Sequence, residues 1–140
     1  MADAVHGIEV GAKAVFTKQI TNEDIRKFAD ASGDDQPLHL NAAHAARTRF
    51  KEPIAHGILS ASVISAAIGT KLAPDKVVIY LSQNLRFRAP VKPGDTITAT
   101  ITATGLDLER NRVNLDTVVT NQDGAEVVTG DALVMVEPLS

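Results

Sequence analysis

PIAHGILSASVISAAIGTKL, residues Pro53 to Leu72, sets the architecture of this chain. Between His56 and Lys71 it carries no charge, and Ala, Ser, Gly, Ile, Val and Leu occupy every side of a helical wheel. A helix that is apolar all round is buried all round, in a protein core or in a bilayer. A bilayer span takes about 20 predominantly apolar residues, and this run is shorter and broken by Ser60, Ser62 and Ser65. It reads as a central core helix wrapped by the rest of the chain, with small residues that let strands approach closely. Gly57, near its start, leaves backbone N–H groups uncovered at a positive helix terminus.

Downstream of Pro74 the pattern changes to period two, the mark of strands. Val77, Ile79, Leu81, Leu85, Phe87 and Ala89 are expected on a buried face, opposite Ser82, Asn84, Arg86 and Arg88. After a turn at Pro90–Gly94, a strand from Asp95 places Ile97, Ala99, Ile101 and Ala103 inward. Asn111–Thr120 repeats the device with Val113, Leu115 and Val119, and Asn121–Gly124 is a hairpin turn signal. The last strand, Glu126–Val136, is apolar on both faces in part, so its inner face stays open at this point.

Upstream, Ala12–Ile20 favours an extended first strand. Thr21 reads as a helix N-cap with Asp24 in the capping-box position, and Ile25, Phe28 and Ala29 supply an apolar face that stops at Gly33. Gly33 to His39 is a loop by composition. Pro37 pushes Gln36 out of the helical region, so Asp34 and His39 cannot share one continuous helix. Asn41 caps a short helix, Ala42–Thr48, that leads to Pro53. The sum is an α+β fold, an antiparallel sheet curled around one helix.

Composition bounds the function. The chain has 140 residues, enough for one domain (1–140) with a real core. A net charge of −3 offers no basic field for nucleic acid. With no cysteine, disulfides, thiol catalysis and thiolate-ligated zinc are all excluded. The N-terminus, MADAVHGIEV, has neither the basic region nor the apolar core of a signal peptide. A cytoplasmic protein without a membrane span is expected.

Three features carry candidate chemistry. Asp34 and His39, in a Pro-containing loop, can bring a carboxylate and an imidazole to one water, the equipment of general acid–base catalysis; on spacing alone an Asx turn and a packed histidine is the favoured reading, because such pairs are common. His56-Gly57 opens the core helix, where the Gly57 N–H can serve as an oxyanion hole or Gly57 can serve close packing only. Gln83 stands where the strand calls for an apolar residue. It is either a hydrogen-bond partner for the catalytic loop or helix terminus, or the sign of a β-bulge. A metal site from Asp34, His39, His44 and His56 matches no standard ligand spacing, so none is expected, and His44 is placed on an exposed face. Arg86, Arg88 and Lys92 gain interest only if the ligand is anionic.

Phe28-Ala29-Asp30-Ala31-Ser32-Gly33-Asp34-Asp35-Gln36-Pro37-Leu38-His39 resembles the signature of the MaoC-like, (R)-specific enoyl-CoA hydratases, which runs roughly S-G-D-x-N-P-[LIV]-H. Pro53-Ile54-Ala55-His56-Gly57 matches the family's second segment, P-[IV]-x-H-G, and Gln83 with Arg86–Asp95 also looks like the family. Gln36 departs from it, standing where Asn is usual. The resemblance implies the hot dog fold and hydration of trans-2-enoyl-CoA to (R)-3-hydroxyacyl-CoA. It implies that Asp34 activates water, that His39 positions it and protonates the α-carbon, and that the Gly57 N–H holds the enolate-like oxygen. Gln36, His56 and Gln83 become supporting residues, and no metal or redox cofactor is required. A homodimer is implied, as long uncovered sheet edges also suggest, with Arg86, Arg88 or Lys92 meeting the phosphates of coenzyme A. An acyl tail running along the helix from Gly57 would meet Ala61, Ser65 and Ile68, with Ile68 closing a short pocket. The carrier is coenzyme A or acyl carrier protein. Two rivals stand beside this reading: a hot dog acyl-CoA thioesterase, disfavoured because Gly57–Thr70 lacks a carboxylate, and a non-catalytic acyl-CoA-binding module.

Overall fold

The computed structural model describes residues 2–140; Met1, with which the expected domain and N-terminal stretch begin, lies outside the described residues. Five antiparallel strands form one sheet: β1 (Lys13–Gln19), β2 (Val77–Phe87), β3 (Thr96–Asp107), β4 (Arg112–Thr120) and β5 (Glu126–Glu137). Their spatial order is β1-β3-β4-β5-β2, so β1 and β2 are the edges. Between β1 and β2 the chain makes α1 (Asn22–Ser32), α2 (Pro37–Leu40), α3 (Ala42–Ala45) and the central α4 (Gly57–Ala67), which runs into a π-helical turn, Ile68–Leu72.

The alternation in β3 and β4 is realised residue by residue. Ile97, Ala99, Ile101, Ala103, Val113, Leu115 and Val119 are all buried, and with the buried residues of α4 they form the core. β5 resolves as well: Val128, Ala132, Val134 and Val136 face the core. The small Ala99 and Ala103 let α4 lie close against β3, its main packing partner.

α1 begins where its capping box lies. The Asp24 N–H donates to Thr21 Oγ1 (3.1 Å) and the Thr21 N–H donates back to Asp24 Oδ2 (2.9 Å). It ends at Gly33, whose φ of 83° is the left-handed value a side chain disfavours.

The core helix opens at His56-Gly57 as expected, and the Pro53–His56 lead-in is extended, pinned by Ala55 N–H donating to Val91 O (2.7 Å). Two expectations are corrected. α4 is not buried all round, since Ile58, Ser62 and Ser65 are exposed. β2 does not hold one alternation along its length. Its register against β5 shifts between Tyr80 and Ser82, so the face set by Val78 and Tyr80 continues through Gln83, Leu85 and Phe87, opposite Ala132, Gly130 and Val128. Val77, Leu81, Phe87 and Ala89, expected inside, are exposed. A single extra residue at Leu81 flips the pattern. Among the described residues no helix is long and apolar enough to cross a membrane, which says nothing of membrane-crossing strands.

Candidate active site

The loop after α1 carries Asp34 out to solvent and returns to the body of the fold through α2. Ser32 Oγ accepts from the Asp34 N–H (3.1 Å), and Asp34 Oδ1 accepts weakly from the Gln36 N–H (3.4 Å). That is the Asx-type turn the spacing allowed. Pro37 occupies the first position of α2, where its missing N–H costs nothing. One turn of this short helix then carries His39 inward, where it is buried.

His39 Nδ1 lies 2.7 Å from Ile54 O. A carbonyl only accepts, so Nδ1 carries the proton and Nε2 is the nitrogen left for chemistry. His56 follows the extended Pro53–Ala55 run and is 2 % exposed. Its Nε2 donates to Asp34 O (2.8 Å). Its ring stacks on His39, centroids 3.9 Å apart and planes 27° from parallel, with Phe28 4.8 Å away on α1. His56 Nδ1 is buried with no hydrogen-bond partner.

One ligand-type atom each from Asp34, His39 and His56 lies within 4.8 Å of the other two. This is the convergence that the sequence spacing left open. The same atoms are within reach of one metal ion; with their N–H groups held by the Asp34 and Ile54 carbonyls, His56 offers Nδ1 and His39 offers Nε2 as the free lone pairs. His44 stands apart, exposed on α3. Gln36 is exposed and its side chain makes no cap to α2.

Gly57 is the first residue of α4 and its N–H has no acceptor within the helix. A Cβ there would come 2.9 Å from Cδ1 and 3.0 Å from Cε1 of Phe87. The close-packing reading of this glycine is thus met in the structure, and its N–H is left without an intrahelical acceptor at the helix terminus.

Gln83 does not reach the Asp34 loop or the start of α4. Its Nε2 donates to Thr117 Oγ1 (2.9 Å) and to Asn84 O (2.8 Å), and Tyr80 Oη donates to its Oε1. Burial pushes the Tyr80 hydroxyl pKa up. Gly130 makes room for this bridge, since a Cβ there would meet Asn84 O and approach Gln83 Nε2 to 3.2 Å. Thr117 and Gly130 escaped sequence reading; a threonine buried in the inward row of β4 was the signal available.

Between α4 and β2 lies an open, mostly apolar groove of about 450 Å³, lined by Ile58, Ala61, Ser65, Tyr80, Gln83 and Leu85 among others. Ala61 and Ser65, two of the three residues expected along an acyl tail, both line this groove. Ile68 does not: it is 2 % exposed, belongs to the core and does not line the groove. The π-helical turn that begins at Ile68 breaks the α-helical spacing on which its placement relied. Of the basic residues, Arg86 is exposed, Arg88 Nε donates to Thr129 Oγ1 (3.0 Å), and Lys92 pairs with Glu52 (2.8 Å).

A long helix laid in a curled antiparallel sheet, with a carboxylate and two imidazoles gathered at its N-terminus, defines a hot dog protein with acid–base equipment. The chain belongs to the MaoC-like domain family, whose model matches residues 5–125. It is 47% identical over 129 residues to an (R)-specific enoyl-CoA hydratase of Rhodospirillum rubrum, covering 92% of this chain and 88% of that one. An (R)-specific enoyl-CoA hydratase of Aeromonas caviae is 42% identical over 94% of this chain and 97% of its own length. Among solved structures, the unliganded R-hydratase PhaJ1 of Pseudomonas aeruginosa superposes with a TM-score of 0.88 at 46% identity, over 96% of this chain and 86% of that one.

Proposed function

We propose that this chain is an (R)-specific enoyl-CoA hydratase, a hydro-lyase that reversibly adds water to trans-2-enoyl-CoA to give (R)-3-hydroxyacyl-CoA. The observation that carries the reading is the convergence of Asp34 and His39 beside the start of α4, in a chain of the MaoC-like family.

The chemistry follows from the protonation pattern. With Nδ1–H held by Ile54 O, His39 offers Nε2 to a water whose other hydrogen faces the Asp34 carboxylate. As the water oxygen bonds to the β-carbon, Asp34 takes its proton and the alkene electrons move onto the thioester oxygen. The Gly57 N–H, aided by the helix terminus, stabilises that oxyanion; one such donor is worth about 3–4 kcal/mol. The proton then passes from the Asp34 carboxyl to the free Nε2 of His39, and the enolate collapses and takes it from there at the α-carbon, so the Asp34–His39 pair ends in the state in which it began. A positioned acid–base group contributes ~10²–10⁴-fold. The thioester itself acidifies the α-position, so this route uses no metal or redox cofactor.

Thioester hydrolysis fits less well because α4 carries no carboxylate to attack or activate water there. Under the hydratase reading the enzyme works in the cytoplasm as a homodimer. The unpaired outer edge of β2, where Val77, Leu81 and Phe87 are exposed, supports the dimer. Arg86, Arg88 and Lys92 are proposed to meet the phosphates of coenzyme A, and the α4–β2 groove the acyl tail.

Incubation with crotonyl-CoA tests the function. Hydration bleaches the conjugated enoyl absorbance without releasing thiol, and chiral chromatography is expected to return the (R) product. Thiol release indicates a thioesterase, no change a binding module, and the (S) product contradicts the stereochemistry.

A further inference from the structure

We propose that His56 is a positioning residue that holds the Asp34 main chain and the His39 ring in their reactive relation. This rests on the hydratase reading above and adds to it a residue that touches no substrate.

Asp34 is exposed, and its other hydrogen bonds stay within residues 32–36. Among the described residues, the His56 Nε2–H bond to Asp34 O is the one that ties it to the body of the fold. The same ring is clamped between Phe28 of α1 and His39 of α2, so one side chain spans three segments that must agree for the site to exist. Ile54 O fixes His39 at Nδ1, but one hydrogen bond leaves the ring free to rotate about it; the stacked His56 face removes that freedom.

Residue choice argues the same way. A slot this buried and ring-shaped would be filled more favourably by Phe, which leaves no polar atom stranded. Histidine there leaves Nδ1 buried and unpartnered, a state that normally disfavours a fold. What histidine adds over Phe is the Nε2–H, and that proton goes to Asp34.

The test separates donor from slab. His56→Phe keeps a stacking ring and removes the donor. His56→Gln keeps an amide N–H at about the reach of Nε2 and removes the ring. His56→Asn has a donor too short to reach. In variants with wild-type circular dichroism, His56→Phe is expected to lower kcat for crotonyl-CoA by ~10–100-fold, the scale of a misplacement of about 1 Å, with KM within about twofold. His56→Gln is expected to recover part of that loss, the remainder reporting the missing stack on His39, and His56→Asn to recover little of it. On an Asp34→Asn background, His56→Phe is expected to cost almost nothing more, because no carboxylate remains to be placed. Wild-type kcat in His56→Phe, equal losses in Phe, Gln and Asn variants, or full multiplication on Asp34→Asn each overturns the proposal. If the Phe variant does not fold, the Gln–Asn contrast decides. A wild-type protein inactive on crotonyl-CoA sinks the hydratase reading and this role with it; an active wild type with an indifferent His56 sinks only this role.

Discussion

A Cβ on Gly57 would stand 2.9 Å from Cδ1 of Phe87, closer than real Cβ atoms approach a carbon. The start of α4 and the end of β2 are thus fixed against each other through the one residue that has no side chain. The first N–H of the helix stays where it is because nothing pushes it away.

Gly57→Ala is therefore expected to fold, since Phe87 is half-exposed and it and the helix start can each yield part of the way, and Ala favours a helix over Gly by about 1 kcal/mol. Its kcat is expected to fall by ~10-fold or more, because a shifted helix start misplaces the oxyanion donor. Steady-state kinetics with crotonyl-CoA checks this. Adding Phe87→Ala should restore part of the rate, which a loss unrelated to the contact would not allow.

Asp34→Asn and His39→Ala are each expected to leave circular dichroism unchanged and to lower kcat/KM by at least ~10²-fold, the lower bound for a general acid–base group. Asp34 is exposed, and His39, though buried, sits on the short α2 outside the α4–sheet core, so a loss of activity with intact folding isolates chemistry. Either variant at near-wild-type kcat/KM removes that residue from the mechanism.

Acid stability should carry the signature of the α1 cap. The Thr21 backbone N–H and, less strongly, its hydroxyl and Lys18 hold the Asp24 carboxyl below its ordinary value of 3.8, against a smaller opposing effect of burial. A carboxyl whose folded pKa is depressed adds stability that is fully present above the unfolded pKa. That stability is lost as pH falls through the folded one. Asp24→Asn is expected to cost about 0.5–2 kcal/mol at pH 7, the range for a lost cap, with the gap to wild type closing below about pH 4. Urea melts across that range check it.

The second-half strands and α1 were legible because each obeys a local rule: period two in β3 and β4, a capping box and a glycine stop in α1. The Asp34–His39 site was legible as a motif, while its geometry was not, because convergence depends on His56 arriving from a segment far along the chain. β2 misled for a physical reason. A one-residue bulge inverts alternation downstream, and hydrophobic residues such as Val77 and Leu81 that face solvent in one chain look in sequence like core. Gln83 was the visible trace of that inversion, read without its partners Thr117 and Gly130.

A dimer is expected in solution. Analytical ultracentrifugation at micromolar concentration should return about twice the chain mass of 14.8 kDa; a monomer overturns it. Replacing Arg86, Arg88 and Lys92 together by Gln is expected to raise KM for enoyl-CoA several-fold while kcat changes little, because exposed cations act on phosphate binding and not on the reacting carbons. An unchanged KM removes their phosphate role.

Chain length is expected to be set by the groove between α4 and β2 rather than by Ile68. Ile68 is core, so Ile68→Ala should cost about 2–5 kcal/mol of stability and leave the preference between eight-carbon and four-carbon substrates unchanged. Ser65 is exposed and lines the groove, so Ser65→Leu should narrow it at little cost in stability. Each methylene denied burial forfeits up to ~0.8 kcal/mol, so the kcat/KM ratio of 2-octenoyl-CoA to crotonyl-CoA should fall by several-fold or more in Ser65→Leu. Measuring that ratio in both variants separates the two sites. A fall confined to Ile68→Ala, or a ratio in Ser65→Leu equal to wild type, would remove the acyl tail from this groove.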